Sequence, residues 1–451
     1  MTQNPATPGP TGPTGPDAAG PIAQDEVAGL CSDLIRIDTS NRGDNSGPGE
    51  RQAAEHVAAL LADVGIEPTI FESDKGRASV VARIQGADQT RPALLIHGHL
   101  DVVPAHAPDW QVDPFSGEIE DGCVWGRGAV DMKDMDAMML AVIRQRMREG
   151  RRPPRDVVLA FLADEEAGGS YGARWLVDNH PGLFEGVTEA IGEVGGFSVT
   201  LAGRRLYVIQ IAEKGMAWMR LTARGTAGHG SMLQPDNAIT ELAETVARIG
   251  RHDWPVRLTP AVEEFMAAAS AAFGIEYSPE TLAQILDKVG SMARLTGATL
   301  RNTLNPTALN AGYKVNVIPQ MATADVDGRF LPGHEAEFFR EIDGLLGPNV
   351  TREFIHHDIA LETTFDGDLV DAMTAALLAE DPAGQVIPYC LSGGTDAKSF
   401  SRLGIRCFGF APLQLPADLD FSGMFHGVDE RVPVTALQFG TRVLDSFLDR
   451  C

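Results

Sequence analysis

Apolar positions along the first two hundred residues change period several times. Helical spacing, with one face recurring every three or four residues, runs through 24–36, 50–64 and 133–148; in the last, Met135, Met138, Met139 and Val142 share a side. Between these stretches lie short apolar runs at 79–84, 93–97, 157–163 and 190–194, each bounded by Gly, Pro or charge. Runs of that length with those borders predict buried strands. Their alternation with helices predicts an α/β sheet covered on both faces.

The texture changes near Leu206. Strands are predicted at 206–211, 217–223 and 315–330, with two helices between the last two, one over 237–250 and a longer apolar and acidic one over about 260–293. A strand–helix–helix–strand block of this kind predicts a separate α+β domain. From about 359 the α/β texture returns, with a strand at 405–410 and a closing helix at 434–448. The expected organisation is therefore one domain built from 22–211 and 359–451, interrupted by an inserted domain over 212–358.

Composition adds boundaries to this picture. Of the 451 residues 44% are hydrophobic and 22% charged, enough for full cores. The formal net charge of −25 repels phosphate backbones and anionic lipid, so nucleic acid and membrane surfaces are not expected partners. Apolar runs such as 157–163 fall far short of the ~20 residues that cross a bilayer. Residues 1–21 contain ten Pro or Gly and no apolar signal-peptide core, which predicts a disordered tail. The five cysteines are scattered without CxxC spacing, which suits buried thiols in a reducing cytoplasm.

Candidate chemistry sits just past the ends of predicted strands, the edge where open α/β sheets bind ligands. In Leu94-Leu95-Ile96-His97-Gly98-His99-Leu100-Asp101, His99 can face a metal while Asp101 supports the imidazole; alone, the pattern also reads as a polar turn, and His97 reads either as core or as a support behind the metal ligands. Asp131 follows Gly126-Arg127-Gly128-Ala129-Val130 at a helix start, where N-capping explains an Asp equally well. Asp164, Glu165 and Glu166 directly follow an apolar strand. Adjacent carboxylates repel one another, and a nearby cation is the usual compensation. Glu193 and His426 each lie in a Gly-flanked loop that could be incidental. Together, His99, Asp131, Glu166, Glu193 and His426 supply two imidazoles and three carboxylates, a donor set suited to two zinc ions sharing one bridging carboxylate.

In combination the motifs GHLDVVP, GRGAVDMKD, EEAGG, GTAGHGS (225–231), NPT (305–307) and NVIP (316–319) resemble those of the co-catalytic zinc hydrolases. That family includes aminoacylases, acetylornithine deacetylase, succinyl-diaminopimelate desuccinylase, glutamate carboxypeptidase and cytosolic dipeptidases. The resemblance runs from about residue 24 to the C-terminus. It implies a zinc-peptidase-like catalytic domain with a mixed sheet and flanking helices, interrupted by an α+β lid and dimerisation domain.

The resemblance also assigns roles. His99 and Glu193 would hold one zinc, Glu166 and His426 the other, and Asp131 would bridge them, with the 131–132 peptide bond a candidate for cis. Cobalt or manganese are possible substitutes. Asp101 would orient His99, and Glu165 would be the general base for a zinc-activated water. His229 would stabilise the oxyanion, often from a partner subunit, and Arg329 would grip the substrate carboxylate. Asn302 or Asn316 would add a hydrogen bond, and the turn at Gly393 and Gly394 would cradle the same carboxylate. The implied protein is a cytoplasmic homodimer, joined through the lid, that cleaves an amide beside a free carboxylate in a small amino-acid-derived substrate. Glu at 193 follows the habit of the family's acylases and carboxypeptidases. Alternatives are a specialised deacylase of the desuccinylase type and a silent scaffold of the same fold.

Overall fold

The structure is a computed structural model that describes residues 20–278, 280–289 and 292–451. The disordered tail expected over 1–21 falls, up to residue 19, outside the described residues. The larger of two main sheets has ten strands. Its path runs Thr69–Asp74, Arg77–Ile84, Val157–Leu162, Ala93–His99, Val187–Gly192, Arg406–Gly409, Arg204–Glu213 and Leu361–Glu362; Gln385–Leu391 and Ser198–Leu201 also pair with Arg204–Glu213. The central strands Val157–Leu162, Ala93–His99, Val187–Gly192 and Arg406–Gly409 are mutually parallel. Their polar C-terminal sequences therefore gather along one edge, while antiparallel strands flank them.

Both faces of this sheet are covered, as expected. Ala23–Ile35, Arg51–Ala62, Lys133–Arg148, Asp368–Glu380 and Val434–Leu448 contribute to the core on one side. Ala173–Asn179 and Ala397–Ser401 contribute to the core on the other. Ala93–His99 and Val157–Leu162 at its centre are buried throughout, which is why their sequences read as largely apolar runs.

The smaller sheet is antiparallel throughout, in the order Thr303–Ala311, Met321–Phe330, Gly215–Arg224, Val350–Asp358. Its own core is closed by Ala238–Gly250 and Glu335–Leu345. Asn237 starts the first of these helices by accepting hydrogen bonds from the Ile239 and Thr240 N–H groups.

Two expectations inside the insertion need correction. The helix expected over 260–293 is three helices, Pro260–Phe273, Leu282–Lys288 and Met292–Thr299. Gly274, left-handed at φ +66°, ends the first. Ala261, Val262, Phe265, Met266 and Ala269 form an apolar stripe that packs into the core of the larger sheet, not the smaller. Part of the 212–358 segment therefore returns to the larger core. The strand expected over 315–330 is Val317–Ile318 and Met321–Phe330, parted by Pro319, which lacks an N–H for the ladder. Thr303–Ala311 was not anticipated. It is an exposed edge strand that tolerates Pro306 and carries no apolar alternation.

Among the described residues no helix is long and apolar enough to cross a membrane. All five cysteines are free, and all but Cys123 are buried.

Candidate metal centre

Three parallel strands and two further segments deliver the site. His99 ends Ala93–His99, Glu165 and Glu166 follow Val157–Leu162, and Glu193 follows Val187–Gly192. Asp131 is joined by a cis peptide bond to Met132, the residue that precedes the Lys133–Arg148 helix. His426 arrives on the loop before Arg431–Pro433. Three residues beside or within these turns take positive φ: Asp164 (+67°), Val194 (+55°) and His426 (+57°). For a β-branched residue such as Val194 this is a strained conformation, of the kind that persists where surrounding structure over-determines it.

The donor atoms fall into two groups that share Asp131. His99, Asp131 and Glu193 form one; Asp131, Glu166 and His426 form the other. His99 Nε2 lies 3.1 Å from Asp131 Oδ1 and 3.5 Å from Glu193 Oε2. His426 Nε2 lies 3.2 Å from both Asp131 Oδ2 and Glu166 Oε2. These spacings match the edge, about 3.3 Å, of a tetrahedron with metal bonds near 2.0 Å. Each Asp131 oxygen thus faces a different imidazole.

The tautomer of His99 tests whether a cation fits. Its Nδ1 lies 2.8 Å from the main-chain carbonyl of Asp101, which only accepts, so Nδ1 carries a hydrogen. Nε2 then presents a lone pair to two carboxylates unless it is also protonated. A cation between them resolves the conflict, and the residues fit a metal. Without one, protons take its place. The Asp131 and Glu166 carboxylates push His426 up to about 10. His99 is raised as well, the neighbouring carboxylates outweighing its burial. Burial and Glu193 raise Glu165, and burial lifts Glu193 to about 7. Burial also opposes ionisation of Asp131, but hydrogen bonds from His426 and His99 hold it well below the usual carboxylate range.

Asp101 acts differently from the simple expectation. Its carbonyl oxygen orients His99, while carboxylate Oδ1 is 3.6 Å from that imidazole. The fully buried carboxylate accepts instead from the Glu165 and Glu166 N–H groups, both at 3.1 Å, and so fixes the turn that carries them. Glu165 Oε2 stands 4.0 Å from His99 Nε2. His97 is core: buried against Phe400 and pushed down to about 3 by that burial, it is a neutral imidazole.

A cavity of about 230 Å³ opens beside these groups. Glu165, Glu166 and His426 line it together with Arg329, Gly393 and Gly394, so six of the anticipated residues meet there. Two others stand apart. Asn302 is buried and accepts a 2.8 Å hydrogen bond from the Leu331 N–H. His229 is exposed, on the short pair Gly228–His229 with Val317–Ile318, and its Nδ1 lies 2.8 Å from Ser231 Oγ. Neither lines the cavity. Asn316 is also exposed, its carbonyl accepting from the Gly230 N–H.

Several supports were not anticipated. Asn41 Nδ2 donates to Asp101 Oδ2 (2.9 Å) and Asp164 Oδ1 (3.0 Å), and Arg77 donates to Asn41 Oδ1. Arg127 pairs with Glu430 at 2.8 Å, both buried, and also donates to the Gly427 carbonyl. Glu430 in turn accepts from the Val130 N–H. This clamp joins the loop before Asp131 to the loop carrying His426. No local signal marks such a pair, whose members lie 303 positions apart.

A parallel-strand edge bearing two donor groups around a shared carboxylate, with a further carboxylate alongside, is an arrangement that could hold metal ions. Residues 95–450 match the model of peptidase family M20/M25/M40. The chain belongs to that family, and with it to the metal-dependent hydrolases of amide bonds. Among relatives, it is 27% identical over 412 residues to the N-fatty-acyl-amino acid synthase/hydrolase PM20D1 of Xenopus tropicalis, covering 86% of this chain and 78% of the relative. It is also 27% identical over 365 residues to aminoacylase-1 of Sus scrofa, with 79% of each covered. An M20 family metallo-carboxypeptidase from Sulfolobus solfataricus shares the fold at a TM-score of 0.71 and 19% identity, over 94% of this chain and 99% of that one.

Proposed function

We propose that the protein hydrolyses the amide bond of an N-acyl amino acid or short peptide beside a free carboxylate. The observation that carries this reading is the pair of donor groups sharing Asp131, with Glu165 next to them and Arg329 in the same cavity. His99 and Glu193 would hold one metal ion, zinc in this reading, Glu166 and His426 would hold the other, and Asp131 would be shared between them. When bound, the two ions acidify the attacking water and polarise the scissile carbonyl.

The chain's own residues do the rest. Glu165 takes the proton of the attacking water and returns it to the leaving nitrogen; burial and the Glu193 charge raise its basicity toward that task. Asp101 keeps Glu165 and Glu166 in register through their N–H groups. Arg329 and the Gly393–Gly394 turn receive the carboxylate. His229 serves the oxyanion of a neighbouring subunit in a homodimer, a reading supported by its exposure in the single chain. The names of the relatives, one acting on N-fatty-acyl amino acids and one an aminoacylase, support an N-acyl amino acid. A cytoplasmic site of action fits the free cysteines.

The test is amine release from N-acetyl and longer N-acyl amino acids, dipeptides and N-succinyl-diaminopimelate. Each is run with zinc, with chelator, and with Glu165→Ala protein as blank. Chelator-sensitive release from one class supports the reading and names the acyl group. Silence across the panel in protein carrying two metals per chain overturns it.

A further inference from the structure

The cavity wall carries a second cation besides Arg329. Lys398 lies in Ala397–Ser401, directly after the glycine turn, and is only 2% exposed, yet it lines the cavity with Glu165 and Arg329. Its ammonium sits against the turn itself: a side chain at Gly394 would collide with Lys398 Nζ. The hydrogen bond it makes among the described residues runs from Nζ to the Lys214 carbonyl, at 2.8 Å. An ammonium has three donors, so two remain.

The carboxylate one would expect to complete it is engaged elsewhere. Fully buried Glu213 accepts from the Thr395 N–H (3.0 Å), the Thr395 hydroxyl (2.6 Å) and Gln210 Nε2 (3.0 Å). It thereby anchors the turn that Lys398 underlies. A buried ammonium short of partners is costly, and a ligand anion is what completes it. Arg329 approaches from the other sheet: Asp327 takes its Nε and Nη2, leaving Nη1.

We propose that Lys398 is a binding residue for the substrate's free carboxylate, which it holds from the larger sheet while Arg329 holds it from the smaller. This rests on the amide-hydrolase reading above and sharpens it. A carboxylate held from both sides ties the two sheets together across the cavity. A substrate with an alcohol or amide in that place leaves the buried Lys398 ammonium short of an anion, while Arg329 keeps only Asp327, and is rejected.

The test compares wild type, Lys398→Met and Lys398→Arg on an N-acyl amino acid and on the matching N-acyl amino alcohol. Calorimetry of the free amino acid product accompanies the kinetics, and metal content and melting temperature are checked throughout. Lys398→Met should raise KM for the charged substrate roughly 10- to 100-fold with little change in kcat. Product binding should weaken by the same factor, the neutral analogue should be indifferent, and Lys398→Arg should recover part of the loss. Equal losses on both substrates, a fall confined to kcat, or unchanged product binding would overturn the proposal. Should Lys398→Met not fold, Lys398→Gln and Lys398→Arg carry the same comparison. If metal-loaded wild type cleaves no amide, the hydrolase reading fails, while product calorimetry still decides the role of Lys398.

Discussion

At the carboxyl edge of the larger sheet each donor atom already faces its neighbour at 3.1 to 3.5 Å. On the smaller sheet, Arg329 is engaged by Asp327 and His229 stands exposed beside Ser231. The contrast follows from how each region is fixed. The first is set by main chain: parallel strands end together, and Asp101 pins the following turn through two backbone N–H groups. The second depends on side chains at the far side of a cavity, with no metal to gather them. One region is preorganised for chemistry, and the residues of the other make only local contacts with Asp327 and Ser231.

The largest expected effect falls in the preorganised region. Glu165→Ala should lower turnover by about 10² to 10⁴ while leaving two metals per chain by elemental analysis. Unchanged turnover would remove Glu165 as the base and break the contrast at its strongest point. His99→Ala should lose metal as well as activity, because its lone pair has no substitute.

Next is the Arg127–Glu430 clamp. Arg127→Met leaves a buried carboxylate without its cation, and loss of one partner of such a pair costs about 3–5 kcal/mol. A melting temperature and denaturation midpoint equal to wild type would show that the two loops are held by other means. The neutral double variant, Arg127→Met with Glu430→Gln, should recover part of the loss.

The same contrast decides what could be read in the sequence. Buried parallel strands announce themselves as apolar runs, and the polar residues after them are conspicuous for that reason; His99, Glu166 and Glu193 were legible on those grounds. Arg329, His229 and the Gly393–Gly394 turn carry no such context and were found only through resemblance of motifs. Asn41, Glu430 and Lys398 were not found at all. Asn41 lies in an ordinary polar turn, Glu430 meets its partner only after the chain has traversed both cores, and Lys398 is a lone lysine whose burial no local pattern signals. The expectation of one helix over about 260–293 fails for a related reason. Periodicity shows that a face is apolar without showing which sheet it will cover.

A smaller effect tests whether protons stand in for metal at the preorganised edge. His426 rises from 6.5 to about 10 in the metal-free protein. A raised value contributes stability that is complete below pH 6.5 and is lost as pH climbs through about 10. The melting temperature of metal-free protein should therefore fall over that window, and that of loaded protein should not. Because the imidazole must be neutral to act as a ligand, metal affinity should rise by up to about tenfold per pH unit over the same range. A flat affinity between pH 7 and 9 would show that His426 is already neutral and that the carboxylates find compensation elsewhere.

The smallest expected signal addresses the other half of the comparison. If His229 completes the site of a neighbouring subunit, Glu165→Ala and His229→Ala proteins, each inactive alone, should complement on mixing. In a heterodimer, the subunit that retains Glu165 faces a partner that retains His229, so one of its two sites is whole. An equimolar mixture that exchanges freely holds half its chains as heterodimers, and activity should return to about a quarter of wild type. Exchange is verified by mass difference before activity is read. Recovery at that level would show that the exposure of His229 in the single chain is the free half of an intermolecular site. No recovery after verified exchange would place His229 in cis or outside catalysis, with Ser231 as its partner.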